Sequence, residues 1–147
     1  MILGISGHRK YNQDHYNHIY IETKKVLKQF KPEKIISGLA IGYDQLAAVI
    51  AFRNNIPVIG AIPFVGQENV WPEKAQETYR KIVAKCCETI IVCDGGYAVW
   101  KLMERNKYIV DNSDIMLAYF SGDLSGTKNC LEYAKTKNKQ IINIFPK

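Results

Sequence analysis

Several things are scarce in this chain, and each scarcity removes a class of protein. No apolar run approaches the roughly 18 residues a membrane span needs, and no charged-then-apolar leader opens the chain. Met1 runs directly into Ile2-Leu3-Gly4-Ile5-Ser6-Gly7, a buried-strand pattern. An intact cytoplasmic protein without a membrane partner is therefore expected. Cysteine is limited to Cys86, Cys87, Cys93 and Cys130, whose spacing matches no zinc or redox motif. They are expected to be reduced thiols that fill the core as small hydrophobes. The three histidines, His8, His15 and His18, are too scattered for a metal site. Neither a metal nor another cofactor is expected. Low-complexity segments, linkers and internal repeats are missing too, so the 147 residues read as one domain, 1–147, with a full core.

What is present has the composition of a globular protein, with 47% hydrophobic and 23% charged residues. The net charge is +6, from 20 Lys and Arg against 14 Asp and Glu. Such an excess attracts phosphates, on a nucleotide or on nucleic acid. Yet Lys24, Lys25, Lys28, Lys31 and Lys34 are dispersed on solvated helix faces. No continuous basic, aromatic-laced track marks a nucleic-acid surface, so nucleic acid ranks as the less favoured partner.

The chain alternates strands and helices throughout. Strands are expected at 2–6, 34–36, 56–62, 89–93, 114–120 and 140–145. Helices are expected over 14–30, with Asp14 as N-cap, then 45–52, from Pro72 to about 87, 98–112 and 128–136. Strict β-α alternation with short links implies an α/β fold, a single Rossmann-like three-layer domain with a mostly parallel sheet of about six strands. Ligands in such folds lie beyond the carboxyl ends of the strands. Four polar, glycine-bearing loops fall there: Gly7-His8-Arg9, Ser37 to Asp44, Pro63 to Trp71, and Gly122 to Thr127.

With these loops placed, the chain resembles the SLOG superfamily, which joins the DprA-type DNA-processing proteins with the Lonely Guy phosphoribohydrolases, and within it the YpsA-like branch. The carriers are Gly7-His8-Arg9, Ser37-Gly38-Leu39-Ala40-Ile41-Gly42-Tyr43-Asp44, and Ile62-Pro63-Phe64-Val65-Gly66-Gln67-Glu68 with Trp71. Further along come Arg105-Asn106-Lys107-Tyr108-Ile109-Val110-Asp111 and Ser125-Gly126-Thr127 with Tyr133-Ala134. The resemblance implies a domain that binds nucleotides or nucleotide-derived signals, often as a homodimer. In the Lonely Guy enzymes it also implies cleavage of the N-glycosidic bond of a nucleoside 5′-monophosphate. Their catalytic arginine is matched by Arg105, but the lysine after it is Asn106 here. The position of their catalytic glutamate, three residues past Thr127, is Cys130. A thiol cannot replace a carboxylate that stabilises an oxocarbenium-like centre. The motif at 37–44 also has Gly38-Leu39 where the family often has two consecutive glycines.

The residues suggest roles, each with a plainer alternative. Arg9 suits a bidentate phosphate contact or is a solvated loop residue. His8 hydrogen-bonds a ribose or base, or is structural. Ser37, Gly38 and Gly42 would cradle a phosphate, and Asp44 would either bond ribose hydroxyls or cap its helix. Pro63, Phe64 and Gln67 would form a base pocket that Trp71 closes, unless Trp71 is a staple into the core. Arg105 and Asn106 face either the site or a surface or dimer interface. Gly126 and Thr127 open a helix and offer a second phosphate site, so two phosphates, as in ADP-ribose, would suit this rim. Three functions follow in order: non-catalytic sensing or sequestration of such a ligand, N-glycoside hydrolysis with Asp44, Glu68 or Glu104 as replacement carboxylate, and single-stranded nucleic-acid binding.

Overall fold

The computed structural model describes residues 1–147. Six strands form one sheet: β1 (Ile2–Gly7), β2 (Lys34–Ser37), β3 (Val58–Ile62), β4 (Glu88–Ile91), β5 (Ile115–Tyr119) and β6 (Gln140–Asn143). Five α-helices connect them: α1 (Tyr16–Phe30), α2 (Tyr43–Arg53), α3 (Glu73–Lys85), α4 (Val99–Asp111) and α5 (Gly126–Thr136). The strand order is β4-β3-β2-β1-β5-β6. Every pairing is parallel, so the expected mostly parallel sheet is wholly so. The three-layer α/β arrangement anticipated from the alternation is the one found. No helix is long and apolar enough to cross a membrane.

The strands read as continuous apolar runs because both faces of the sheet are covered. Successive residues point to opposite faces, and the core divides accordingly. Leu3, Ile5, Ile35, Val58 and Leu117 join one cluster with residues of α1, α2 and α3, among them Ile19, Leu27, Ala47 and Ile82. Their neighbours Ile36, Ile59 and Met116 join the other cluster, with Ile109 and Val110 of α4 and Cys130 and Ala134 of α5. Helix α2 lies between α1 and α3, and the small residues Ala47, Ala48 and Ala51 let it approach the sheet closely.

Element boundaries shift where caps or burial override pattern. Asp14 is not the N-cap of α1: a 3₁₀ turn, Gln13–His15, precedes that helix, and the Asn12 side chain accepts from the Asp14 N–H at 2.9 Å. Helix α2 begins two residues earlier than expected. β3 starts after Pro57, which has no N–H to pair. Helix α5 begins at Gly126, because the Ser125 hydroxyl caps the Lys128 N–H at 3.2 Å. The reading of the cysteines as core fillers holds only for Cys130; Cys87 is exposed, and Cys86 and Cys93 are half-buried. Truncating Ile36 to Ala, at 1% exposure on the smaller cluster, is expected to cost about 2–4 kcal/mol. Ile21→Ala, on a residue 52% exposed, is expected to cost under about 0.5 kcal/mol. Urea denaturation of the two variants checks this contrast.

Candidate functional site

The chain leaves β1 along one face of the sheet through α1 and returns to β5 along the other through α4. Loops that follow adjacent strands β1 and β5 therefore diverge, and a crevice opens between them at the carboxyl end of the sheet. It encloses about 290 Å³. One wall is Ser6 to Arg9, the opposite wall is Ser125 to Thr127, and the floor is Ala40, Asp44, Leu102, Arg105 and Asn106.

Arg105 reaches this floor from beneath. Lys101, Arg105 and Ile109 recur at four-residue steps and so share the face of α4 that meets the sheet. All three are buried. The Arg105 guanidinium donates from Nη1 to the Gly38 carbonyl at 3.1 Å and from Nε to Asn106 Oδ1 at 2.9 Å. Gly38 has no side chain because a Cβ there would collide with that guanidinium. The same carbonyl accepts from Gln67 Nε2 at 3.1 Å, and Gln67 also donates to the Tyr79 hydroxyl at 3.1 Å. Lys101 is tied further out, to the carbonyls of Asp94 and Gly96.

The electrostatics favour an anion. The chain's five ion pairs involve neither Arg9 nor Arg105. Arg9 is exposed at the mouth and makes no hydrogen bond to any other residue, so its planar fork is open to a carboxylate or phosphate. Burial lowers the Arg105 pKa, with Asp44 opposing, yet a guanidinium remains charged. The Gly126 and Thr127 N–H groups open α5 and precede any helical carbonyl partner, so they present the positive end of the helix dipole to the crevice. Asp44 is the one carboxylate in the lining. Its Oδ1 accepts from the Gly7 N–H at 3.1 Å. Burial pushes its pKa up to about 6, against the pull of Arg105, the Gly7 N–H and Arg9.

The sequence-derived site residues separate into two groups. His8, Arg9, Asp44, Arg105, Asn106, Gly126 and Thr127 converge on the crevice. Of the 37–44 turn, Ala40 and Asp44 line the crevice, whereas Ser37, Gly38 and Gly42 do not cradle it. Ser37 is fully buried; its hydroxyl donates to the Asp44 carbonyl at 2.9 Å and accepts from the Leu39 N–H at 3.2 Å. Gly42 has φ 103° and packs under the His8 and Arg9 carbonyls, where a Cβ has no room. Leu39, not Gly38, takes the left-handed conformation, at φ 58°. Asp44 is likewise no cap, since it lies inside the first turn of α2 and Gly42 holds the N-cap position. His8 is a brace between loops: its Nε2 accepts from the Ser121 N–H at 2.9 Å, and burial lowers its pKa despite nearby Asp123. Arg105 and Asn106 turn to the crevice rather than to an outer surface.

The expected base pocket is altered in the same way. Phe64, Gln67 and Trp71 line a second hollow that adjoins the crevice. Pro63 is buried and lines neither. Phe64 is 4% exposed and offers no open ring face. Trp71 does double duty, packing edge-on to Tyr79 at 5.3 Å while lining the hollow. The sequence reading gave no role to Ser6, Leu102, Ser125 and Tyr97, which line the crevice or the hollow. Ser6, a lone hydroxyl in the apolar β1 run, and Ser125, three residues before the capped Lys128, were the available signals.

The carboxylates considered as replacements for the missing glutamate lie elsewhere, Asp44 excepted. Glu68 pairs with Arg80 at 3.9 Å and Glu104 with Lys107 at 3.6 Å, both outside the lining. Cys130 is fully buried, and burial pushes its thiol up to about 11, so it stays protonated at neutral pH.

The family described as DNA recombination-mediator protein A matches residues 1–147. The SPbeta prophage-derived protein YoqJ of Bacillus subtilis is 32% identical over 118 residues, which covers 69% of this chain and 69% of that protein. Among solved structures, DNA processing protein A from Helicobacter pylori, described for its single-stranded DNA binding mode, superposes with a TM-score of 0.74 at 18% identity. DNA processing protein A from Streptococcus pneumoniae does so with 0.72, also at 18%. These likenesses cover 96% and 95% of this chain, which spans 63% and 48% of those two proteins. At that identity they show the shared fold. The family match and the prophage relative bear out the resemblance to the SLOG superfamily and its DprA-type members.

The raised Asp44 pKa has a consequence for stability. Between pH 4 and 6 the native state binds a proton at Asp44 that the unfolded chain has lost, so this group's contribution falls as pH rises through that window. Asp44→Asn keeps an acceptor for the Gly7 N–H and removes the titration. Relative to wild type, the variant is expected to gain on the order of 2 kcal/mol from pH 4 to pH 7. Urea midpoints at four pH values check it; a constant difference between the two proteins would refute the assignment.

Proposed function

The chain belongs to the DNA recombination-mediator protein A family, and from that premise we propose that residues 1–147 form a nucleotide-binding domain. Its crevice holds a phosphate-bearing nucleotide or ADP-ribose-type ligand without turning it over. The observation that carries this reading is the pair of arginines, Arg9 and Arg105, facing the α5 N-terminus across about 290 Å³ with no carboxylate ion-paired to either. A volume of that size takes the phosphate end of a small ligand. Two guanidinium groups and two free N–H groups supply the donors that phosphate oxygens accept. The absence of turnover is supported by Cys130, a buried neutral thiol where the phosphoribohydrolases carry a carboxylate.

A second reading is favoured by the rim. Val65, Val70, Tyr97, Val99, Trp100 and Leu124 are exposed on loops or helix starts at the carboxyl ends of the strands, and Arg9 and Lys10 are exposed beside them. Exposed aromatic rings near cations suit the bases and backbone of single-stranded nucleic acid, the ligand named for the Helicobacter pylori protein. The crevice would then take one nucleotide of a strand.

Calorimetric titration separates the readings. ADP-ribose and AMP are expected to bind, and each of Arg9→Ala and Arg105→Ala to weaken them about tenfold or more. Chromatography of the mixture is expected to return the nucleotide intact. Release of free base would instead make Asp44 the catalytic candidate. Affinity confined to oligonucleotides, falling steeply with salt, would favour the second reading.

A further inference from the structure

We infer that the hollow beside the crevice is the subsite for a planar base bearing an exocyclic amino group, with Tyr97 as its stacking residue and Gln67 as its edge reader. This rests on the nucleotide reading above and names the part of the ligand that the phosphate crevice leaves unassigned.

The hollow encloses about 380 Å³, and Arg9 and Leu102 line both it and the crevice, so one ligand can occupy the two together. Five of its seven lining residues are apolar or aromatic, the character of a site for a flat ring. Tyr97 is 68% exposed, and its ring is braced on one side by Phe64, perpendicular to it at 5.7 Å and 89°. Phe64, almost fully buried, is the buttress, and Tyr97 keeps an open face. The segment that carries Tyr97 is pinned by buried Lys101, whose ammonium donates to the carbonyls of Asp94 and Gly96. A stacking ring held in place in this way loses little freedom when a base covers it.

Hydrogen-bond counting at Gln67 sets which base edge fits. Its amide nitrogen has two protons, and both are given away, to the Gly38 carbonyl and to the Tyr79 hydroxyl. A carbonyl only accepts, so the Gly38 bond fixes which end of the amide is nitrogen. Gln67 Oε1 has no partner within the chain, and no fully buried side-chain polar atom lacks one, so that oxygen keeps some exposure on a side chain that lines the hollow. It offers an acceptor and requires a donor. An exocyclic amino group meets it; a keto oxygen in the same place sets acceptor against acceptor, which a site built around that contact rejects.

The test is calorimetry with AMP, IMP and ribose 5-phosphate on the full chain. AMP is expected to bind about tenfold tighter than IMP, whose base differs by a keto oxygen in place of the amino group. The advantage of AMP over ribose 5-phosphate is expected to shrink about tenfold in Tyr97→Ala and to persist in Tyr97→Phe. Thermal melts confirm that both variants fold. Equal affinity for AMP, IMP and ribose 5-phosphate, or a Tyr97→Ala protein that keeps the full AMP advantage, overturns this inference and leaves the phosphate reading standing. Binding of none of the three by the wild-type chain overturns both.

Discussion

The Gly38 carbonyl is the contact on which the rest of the site depends. It directly follows β2, and it accepts from Arg105 of α4 and from Gln67 of the loop before α3. One oxygen thus ties together elements from both faces of the sheet. A buried guanidinium is tolerated only where its protons find acceptors and its charge finds company. Gly38 provides the first, and Asp44, held by the Gly7 N–H, provides the second at a distance too long for an ion pair. Because Gly38 lacks a Cβ, the guanidinium can lie flat against the turn. The Arg105 guanidinium on the crevice floor is therefore fixed before any ligand arrives, which reduces the cost of ordering a binding site.

Topology explains why this charge is aimed where it is. The chain builds β1 to β4 outward on one side and then crosses back under the sheet through α4 to place β5 beside β1. That return carries Arg105 and Leu102 beneath the end of β2 and leaves the β1 and β5 loops facing each other. The α5 dipole on one side and Arg9 on the other then act on the same small volume. His8 keeps the two loops in register through the Ser121 N–H. Burial lowers its pKa, against the pull of Asp123, and the neutral imidazole that results can accept that bond.

Much of the fold was legible because covered strands write themselves as apolar runs and helices as three- and four-residue periodicities. The position of the candidate crevice was legible too, since the glycine-bearing loops that follow strands fall on one rim. The roles within it were less so. The glycine turn at 37–44 looks in sequence like a phosphate loop, yet its hydroxyl and its Leu39 N–H are consumed by internal bonds. No pattern in the chain distinguishes a glycine that leaves room for a ligand from one that leaves room for an arginine 67 residues later. Tyr97 escaped notice for a similar reason. It lies in an irregular stretch between β4 and α4, and only the placement of Phe64 across from it gives its ring a purpose.

The account stands or falls on whether anionic nucleotides enter the crevice between β1 and β5. The most direct measurement is a titration of isotope-labelled protein with ADP-ribose, followed by NMR at single residues. The amides of Gly7, His8, Gly126 and Thr127 and the Nε–H of Arg105 are expected to shift together and saturate with one binding constant. Shifts confined to the outer faces of α1, α4 or α5, or no shift at millimolar ligand, would contradict it.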